Sequence, residues 1–263
     1  MARQIAKSRV LAEGKGKMSI WGKIIGGTAG FAFGGPIGAL IGGFAGHAFD
    51  RMRQRDAANR VDSQQNKKQI AFTIGVIVLG AKMAKADGKV TADEISAFKK
   101  VFQIPSEEIG NVARVFDRAR QESEGYEPYA KQIASLFSGH PAVLEDLLDG
   151  LFHIAKADGV IHPKEVAFLK GVSHIFGFNG SEFDRIYASN IGTAHSDPYK
   201  ILGVSYDIGD EELKRRYLFL IKEHHPDRLI AQGMPSEFVK VANEKVATIN
   251  DAYDRVCKQR ELL

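Results

Sequence analysis

Ile24 to Phe49 is a run of 26 residues without a formal charge, and from just before it glycine recurs at every fourth position: Gly22, Gly26, Gly30, Gly34, Gly38, Gly42 and Gly46. In water, a helix carrying that row would lose about 1 kcal/mol per glycine. In a bilayer the row is useful, because a flat strip of small residues lets a second helix approach closely. At about 1.5 Å per residue the run would be about 39 Å long as a helix, which spans a bilayer core of about 30 Å with some tilt. The expectation is a glycine-zipper membrane anchor over 24–49, pairing two copies of the chain as a homodimer. Pro36 opens an alternative, a kink or a break between two short helices, as in a re-entrant hairpin.

The formal net charge is only +4. Much of the basic excess flanks the uncharged run: Arg3, Lys7, Arg9, Lys15, Lys17 and Lys23 before it, and Arg51, Arg53, Arg55, Arg60, Lys67 and Lys68 after it. Neither group is interleaved with aromatic residues. Flanks of a membrane segment explain them better than a nucleic-acid surface does, so no nucleic-acid partner is expected. Residues 1–23 read as a basic leader and 50–68 as a juxtamembrane linker or helix. Cys257 is the only cysteine. A disulfide framework and a cysteine-rich zinc module are therefore excluded, and the thiol is expected to be chemically idle.

From Gln69 the apolar spacing becomes helical, and Ile70 to Ala86 reads as a buried helix. An internal repeat then appears. Ala84-Lys85-Ala86-Asp87-Gly88 returns 71 residues later as Ala155-Lys156-Ala157-Asp158-Gly159. The match extends through Val90 and Ile161, Glu94 and Glu165, Ile95 and Val166, and Phe98 and Leu169. Each copy reads as helix, Asp-Gly turn, then a new helix, with Thr91 and His162-Pro163 where caps and first-turn residues belong. Pro105 to Phe116 and Tyr129 to Phe137 add helical segments between the copies. The expected unit is an all-α domain over 69–178, with 179–196 as a linker.

The two Ala-Lys-Ala-Asp-Gly segments resemble the TerB family. That resemblance implies possible divalent-metal binding through acidic residues, here Asp87, Asp93, Glu94, Asp158 and Glu165. Their spacing does not fit an EF-hand loop, and Lys164 stands in the second copy where the first has Asp93. The competing reading is that Asp87 and Asp158 shape turns and cap the helices that follow.

Residues 197–263 carry the most specific pattern. Asp197 fits a helix N-cap, Pro198 a first helical position and Gly203 a helix stop. A helix is expected from about Asp210 to His224, with Leu213, Tyr217, Leu220, Ile221 and His224 facing a core. His225-Pro226-Asp227 breaks it. A further helix is expected from about Ser236 to Lys258, with Phe238, Ala242, Val246, Ile249, Tyr253 and Val256 on one face. Tyr199-x-Ile201-Leu202-Gly203-Val204, Leu213-x-x-x-Tyr217, His225-Pro226-Asp227 and Ile249-x-x-Ala252-Tyr253 together resemble the J-domain family. The resemblance implies docking on a DnaK-type chaperone and stimulation of its ATP hydrolysis, with no chemistry in the J-domain itself and no cofactor. Asp227 would pair with a cationic group of the chaperone, His225 would position the loop and Pro226 would fix its shape. Lys214, Arg215, Arg216, Lys222 and Arg228 would steer toward an acidic surface. Leu218 and Phe219 stand where relatives often carry basic residues. They imply an apolar contact with the chaperone or with this chain's own helical domain; alternatively, one of the two packs inside.

Anchor, TerB-like domain and C-terminal J-domain in this order resemble the DjlA family of bacterial inner-membrane co-chaperones. Trp21-Gly22-Lys23-Ile24-Ile25-Gly26 and the run from His224 to Pro235 are further carriers. The resemblance places the J-domain on the cytoplasmic side. The rival reading is a metal- or stress-sensing protein in which the TerB-like domain is the active part. A hydrolase is not expected, since no nucleophile, base and orienting residue are grouped in any motif.

Overall fold

The computed structural model describes residues 34–42, 60–87, 96, 98–99, 104–122, 125–157, 159–191 and 196–262, and among these every regular element is helical. The all-α reading therefore holds. Gly22, Gly26, Gly30 and Gly46 of the glycine row lie outside the described residues. So do Asp93, Glu94 and Asp158, and the side chain of Asp87.

α1 (Gly35–Gly42) covers part of the uncharged run. Just before it the backbone is interrupted, which fits the kink or break that Pro36 raised as an alternative. Gly34 and Gly35 both take left-handed φ, at 56° and 59°. Pro36 disfavours the right-handed helical region for the residue before it, and glycine alone escapes leftward at little cost. The break is satisfied by a side chain. The Gln132 amide donates to the Gly34 carbonyl and accepts from the Ile37 N–H, both at 2.9 Å. Ile37 and Leu40 are buried in the main core. Among the described residues no helix is long and apolar enough to cross a membrane.

α2 (Arg60–Asp87) begins inside the expected juxtamembrane segment, and it is buried continuously from Ile70 to Ala84. α3 (Ile109–Gln121), α4 (Glu127–Leu136), α5 (Pro141–Ala155) and α6 (Pro163–Ile175) surround its apolar length. α5 is the central strut: from Ala142 to Ala155 only His153 is not fully buried. The second repeat behaves as expected, with α5 ending at the turn and α6 starting from an N-cap at His162 with Pro163 next.

Residues 179–196, expected to be a linker, contain α7 (Gly180–Asn190). Asn179, the first residue of that expected linker, is the N-cap of this helix. Its side chain accepts from the Glu182 N–H at 3.0 Å, and the Glu182 carboxylate accepts from the Asn179 N–H at 2.8 Å. Such reciprocal capping fixes a helix start. Phe183 and Ile186 then join the main core.

The last part comprises α8 (Pro198–Leu202), α9 (Asp210–Glu223), α10 (Pro226–Gln232) and α11 (Val239–Gln259). Asp197 caps α8, accepting from the Tyr199 N–H at 2.9 Å, and Gly203 ends it with φ 66°. α9 and α11 form a hairpin over a small core of Tyr199, Ile201, Leu202, Leu213, Leu220, Ile249, Ala252 and Val256. Tyr217 stacks on Tyr253 with ring centroids 4.0 Å apart. Arg260 ties the hairpin shut. Its guanidinium donates to Tyr199 Oη, to the carbonyls of Ile208 and Tyr206, and to the Asp210 carboxylate. Cys257 is buried.

The apolar face of α11 serves two cores. Ile249 and Val256 fill the hairpin, while Ala242, with Phe238 just before the helix, joins the core of the repeat domain. Phe238 meets Phe72 of α2 edge to face at 4.7 Å.

Candidate functional site

His225-Pro226-Asp227 is the first turn of α10 rather than a loop. His225 is the N-cap, and its Nδ1 accepts from the Asp227 N–H at 3.3 Å. Pro226 has no N–H to leave unsatisfied at a helix start, and its fixed φ suits the first helical position. His162-Pro163 starts α6 in the same way. The side chains point outward: that of His225 is 55% exposed and that of Asp227 90%.

α9 leads into this turn. Lys214, Arg215 and Lys222 are exposed along it. Leu218 and Phe219 are also exposed, at 52% and 51%. Neither packs inside, and neither is covered by the repeat domain. The other two expected steering cations are engaged. Arg216 is half-buried, donates to the Leu202 carbonyl at 3.0 Å and lies over the Phe219 ring at 5.5 Å. Arg228 pairs with Glu223 at 2.9 Å. The outward face is thus an apolar pair among three exposed cations, next to a histidine and a carboxylate held on a helix start.

Behind the turn the environment inverts. His224, expected to face the hairpin core, is instead buried between two carboxylates of α5. Its Nε2 lies 3.6 Å from Glu145 and its Nδ1 3.4 Å from Asp146, the latter too poorly aligned for a hydrogen bond. Lys245 of α11 reaches the same helix, contacting Glu145 and lying 2.5 Å from Asp149. Arg185 of α7 closes the group with a two-pronged contact to Glu145 at 2.8 and 2.5 Å. Asn190 donates to Asp149 at 2.6 Å. Burial alone would raise the Glu145 carboxyl, but Arg185, Lys245 and His224 hold it well below its ordinary value. Burial pushes Asp146 up against the weaker pull of His224 and Lys245. Burial would lower Lys245, yet Asp149, Glu145 and Asp146 raise it. Sequence reasoning missed this cluster. Its one signal is three acids within five residues of an otherwise apolar helix.

Of the candidate metal-ligating residues, Glu165 is buried, and its carboxylate accepts from the His162 N–H at 2.8 Å, as a capping residue does. Among the described residues no group of three or more histidines, cysteines, aspartates or glutamates is placed to hold a metal ion.

Comparison with known proteins gives three family matches in chain order: the co-chaperone DjlA transmembrane domain over 18–57, the tellurite resistance protein TerB over 73–188, and the DnaJ domain over 197–261. Relatives named co-chaperone protein DjlA align nearly end to end. The one from Coxiella burnetii is 30% identical, covering 92% of this chain and 98% of its own length. Those from Photobacterium profundum and Escherichia coli are 29% and 26% identical, each over 92% of this chain and 99% of their own. No solved structure matches.

Proposed function

This chain belongs to the DjlA co-chaperone family, and on that premise we propose that it is a membrane-anchored regulator whose J-domain stimulates ATP hydrolysis by a DnaK-type chaperone. The observation that carries the reading is the exposed His225-Pro226-Asp227 turn beside the exposed face of α9. Asp227 offers a carboxylate to a cation of the chaperone. His225 holds the Asp227 backbone through its Nδ1, so the carboxylate is presented from a fixed helix start. Lys214, Arg215 and Lys222 draw in an acidic partner surface, and Leu218 and Phe219 supply apolar contact once it has arrived. Docking favours the hydrolysis-competent state of the chaperone by binding it better than the resting state. The chain itself performs no chemistry.

The match over 18–57 supports an anchor in the bacterial inner membrane. In this proposal the J-domain faces the cytoplasm, where the chaperone and its ATP are. The glycine row from Gly22 to Gly46 pairs two copies. Residues 69–178 and 197–263 act as the TerB-like and J-domain units. Single-turnover ATP hydrolysis by a cognate DnaK-type chaperone tests the reading. The wild-type chain should accelerate it and His225→Gln should not; equal rates with the two would refute it.

A further inference from the structure

The His225-Pro226-Asp227 turn is held from both sides by the TerB-like domain. On its N-terminal side, His224 sits between Glu145 and Asp146 of α5, and Lys245 joins Glu145 and Asp149 of the same helix. On its C-terminal side, Leu229 and Met234 are fully buried in the TerB-like core together with Phe238. Gly233 permits this approach. A Cβ there would lie 2.6 Å from the Lys68 Cβ and 3.3 Å from the Phe137 ring, and its φ of 115° is itself unfavourable for other residues. Gln65 of α2 adds a hydrogen bond to the Ile230 carbonyl at 3.2 Å.

We propose that the TerB-like domain is the positioning element of the co-chaperone: its α5 carboxylates and apolar core fix the turn in the orientation in which the chaperone meets it. His224, Asp146 and Lys245 are positioning residues, acting through the turn and not touching the chaperone. The geometry argues against inhibition, because the held state leaves His225, Asp227, Leu218 and Phe219 exposed. Pre-organisation lowers the ordering cost of binding. Loosening the seam therefore raises the concentration needed for half-maximal stimulation and leaves the maximal rate unchanged.

The inference rests on the co-chaperone reading, and its test separates the two. Spin labels at exposed Lys170 and Asp254, on the two domains, report the distance between them in the full chain. Asp146→Asn lies on the domain that does not touch the chaperone. It should broaden the distance distribution and raise the half-maximal concentration about fivefold, within the usual range of coupling between sites. His224→Gln should do the same, and the double variant should be no worse than either single, as for two members of one contact. An unchanged half-maximal concentration with Asp146→Asn, or stronger stimulation, would overturn the proposal. Amide exchange in the wild-type chain needs no variant: residues 229–234 should exchange as slowly as α5, and fast exchange there would also overturn it. Failure of the wild-type chain to stimulate at all would sink the co-chaperone reading, while the distance and exchange data would still decide the coupling.

Discussion

His224 is 2% exposed among the carboxylates of α5, whereas the side chain of its neighbour His225 is 55% exposed at the start of α10. One residue step separates a buried ionic seam from an exposed face. The two surfaces are built on opposite rules. In the seam Glu145, Asp149, Arg185 and Lys245 pair with one another because burial leaves them no water. On the face of α9 charges stay solvated and an apolar pair is left uncovered. Substitutions in the seam should therefore register in stability and in the concentration needed for half-maximal stimulation, whereas substitutions on the face should register in chaperone stimulation with stability unchanged.

Lys245→Met is the largest break. It leaves Asp149 buried with only the neutral Asn190 as partner and Glu145 with Arg185 as its remaining close cation, and removing one partner of a buried pair costs about 3–5 kcal/mol; urea unfolding of the full chain measures it. If the loss is below about 1 kcal/mol, the seam is not an electrostatic unit.

Acid should loosen the same seam. Glu145 is held below its ordinary value, so its contribution is complete above the ordinary 4.5 and is lost as pH falls through its folded value. His153, beside Glu244 of α11, is pushed below its ordinary 6.5 by burial and by Lys156. Its contribution has the same sign and begins to fall earlier. Asp146, pushed up, opposes both, because the folded chain takes that proton more readily. Urea stability should decline from about pH 7 to about pH 4, more steeply in Asp146→Asn. A flat profile would contradict the assignment.

Asp197→Ala probes a site outside the seam. It removes the cap of α8 at a cost of about 1 kcal/mol, readable as a lowered melting temperature. Phe219→Ala sharpens the comparison from the other side. Its effect on stability should stay within about 0.5 kcal/mol, while stimulation of the chaperone falls. A loss of stability without a loss of stimulation would move Phe219 from the recognition face to the fold.

Legibility from sequence follows the same division. The outline of the C-terminal hairpin was readable because its signals are local: Asp197-Pro198 starts a helix, Gly203 stops one, and His225-Pro226-Asp227 interrupts the chain between two helices. The two missed helix starts show how a local signal misleads. Asn179-Gly180 looks like a stop until Glu182 is seen reaching back to the Asn179 N–H. His225-Pro226 looks like a breaker, although proline is at home in a first turn. The seam could not be read at all. Glu145, Asp146 and Asp149 alone suggest a solvated face, since their partners are Arg185, 40 positions away, and Lys245, 96 positions from Asp149. α11 hid its double allegiance for a similar reason: one continuous apolar stripe does not reveal that Phe238 and Ala242 belong to a different core from Ile249 and Val256.

Gly233 bears on how such a chain can be rebuilt. Its backbone lies where any side chain would collide with Lys68 and press on the Phe137 ring. A J-domain borrowed from another protein would need a glycine at this position, together with a histidine before the signature turn and a lysine at 245, to seat on this scaffold. The C-terminal unit is in that sense not an interchangeable cassette but a part cut to fit one neighbour, and chimaeras that swap it should fail at the join before they fail at the signature.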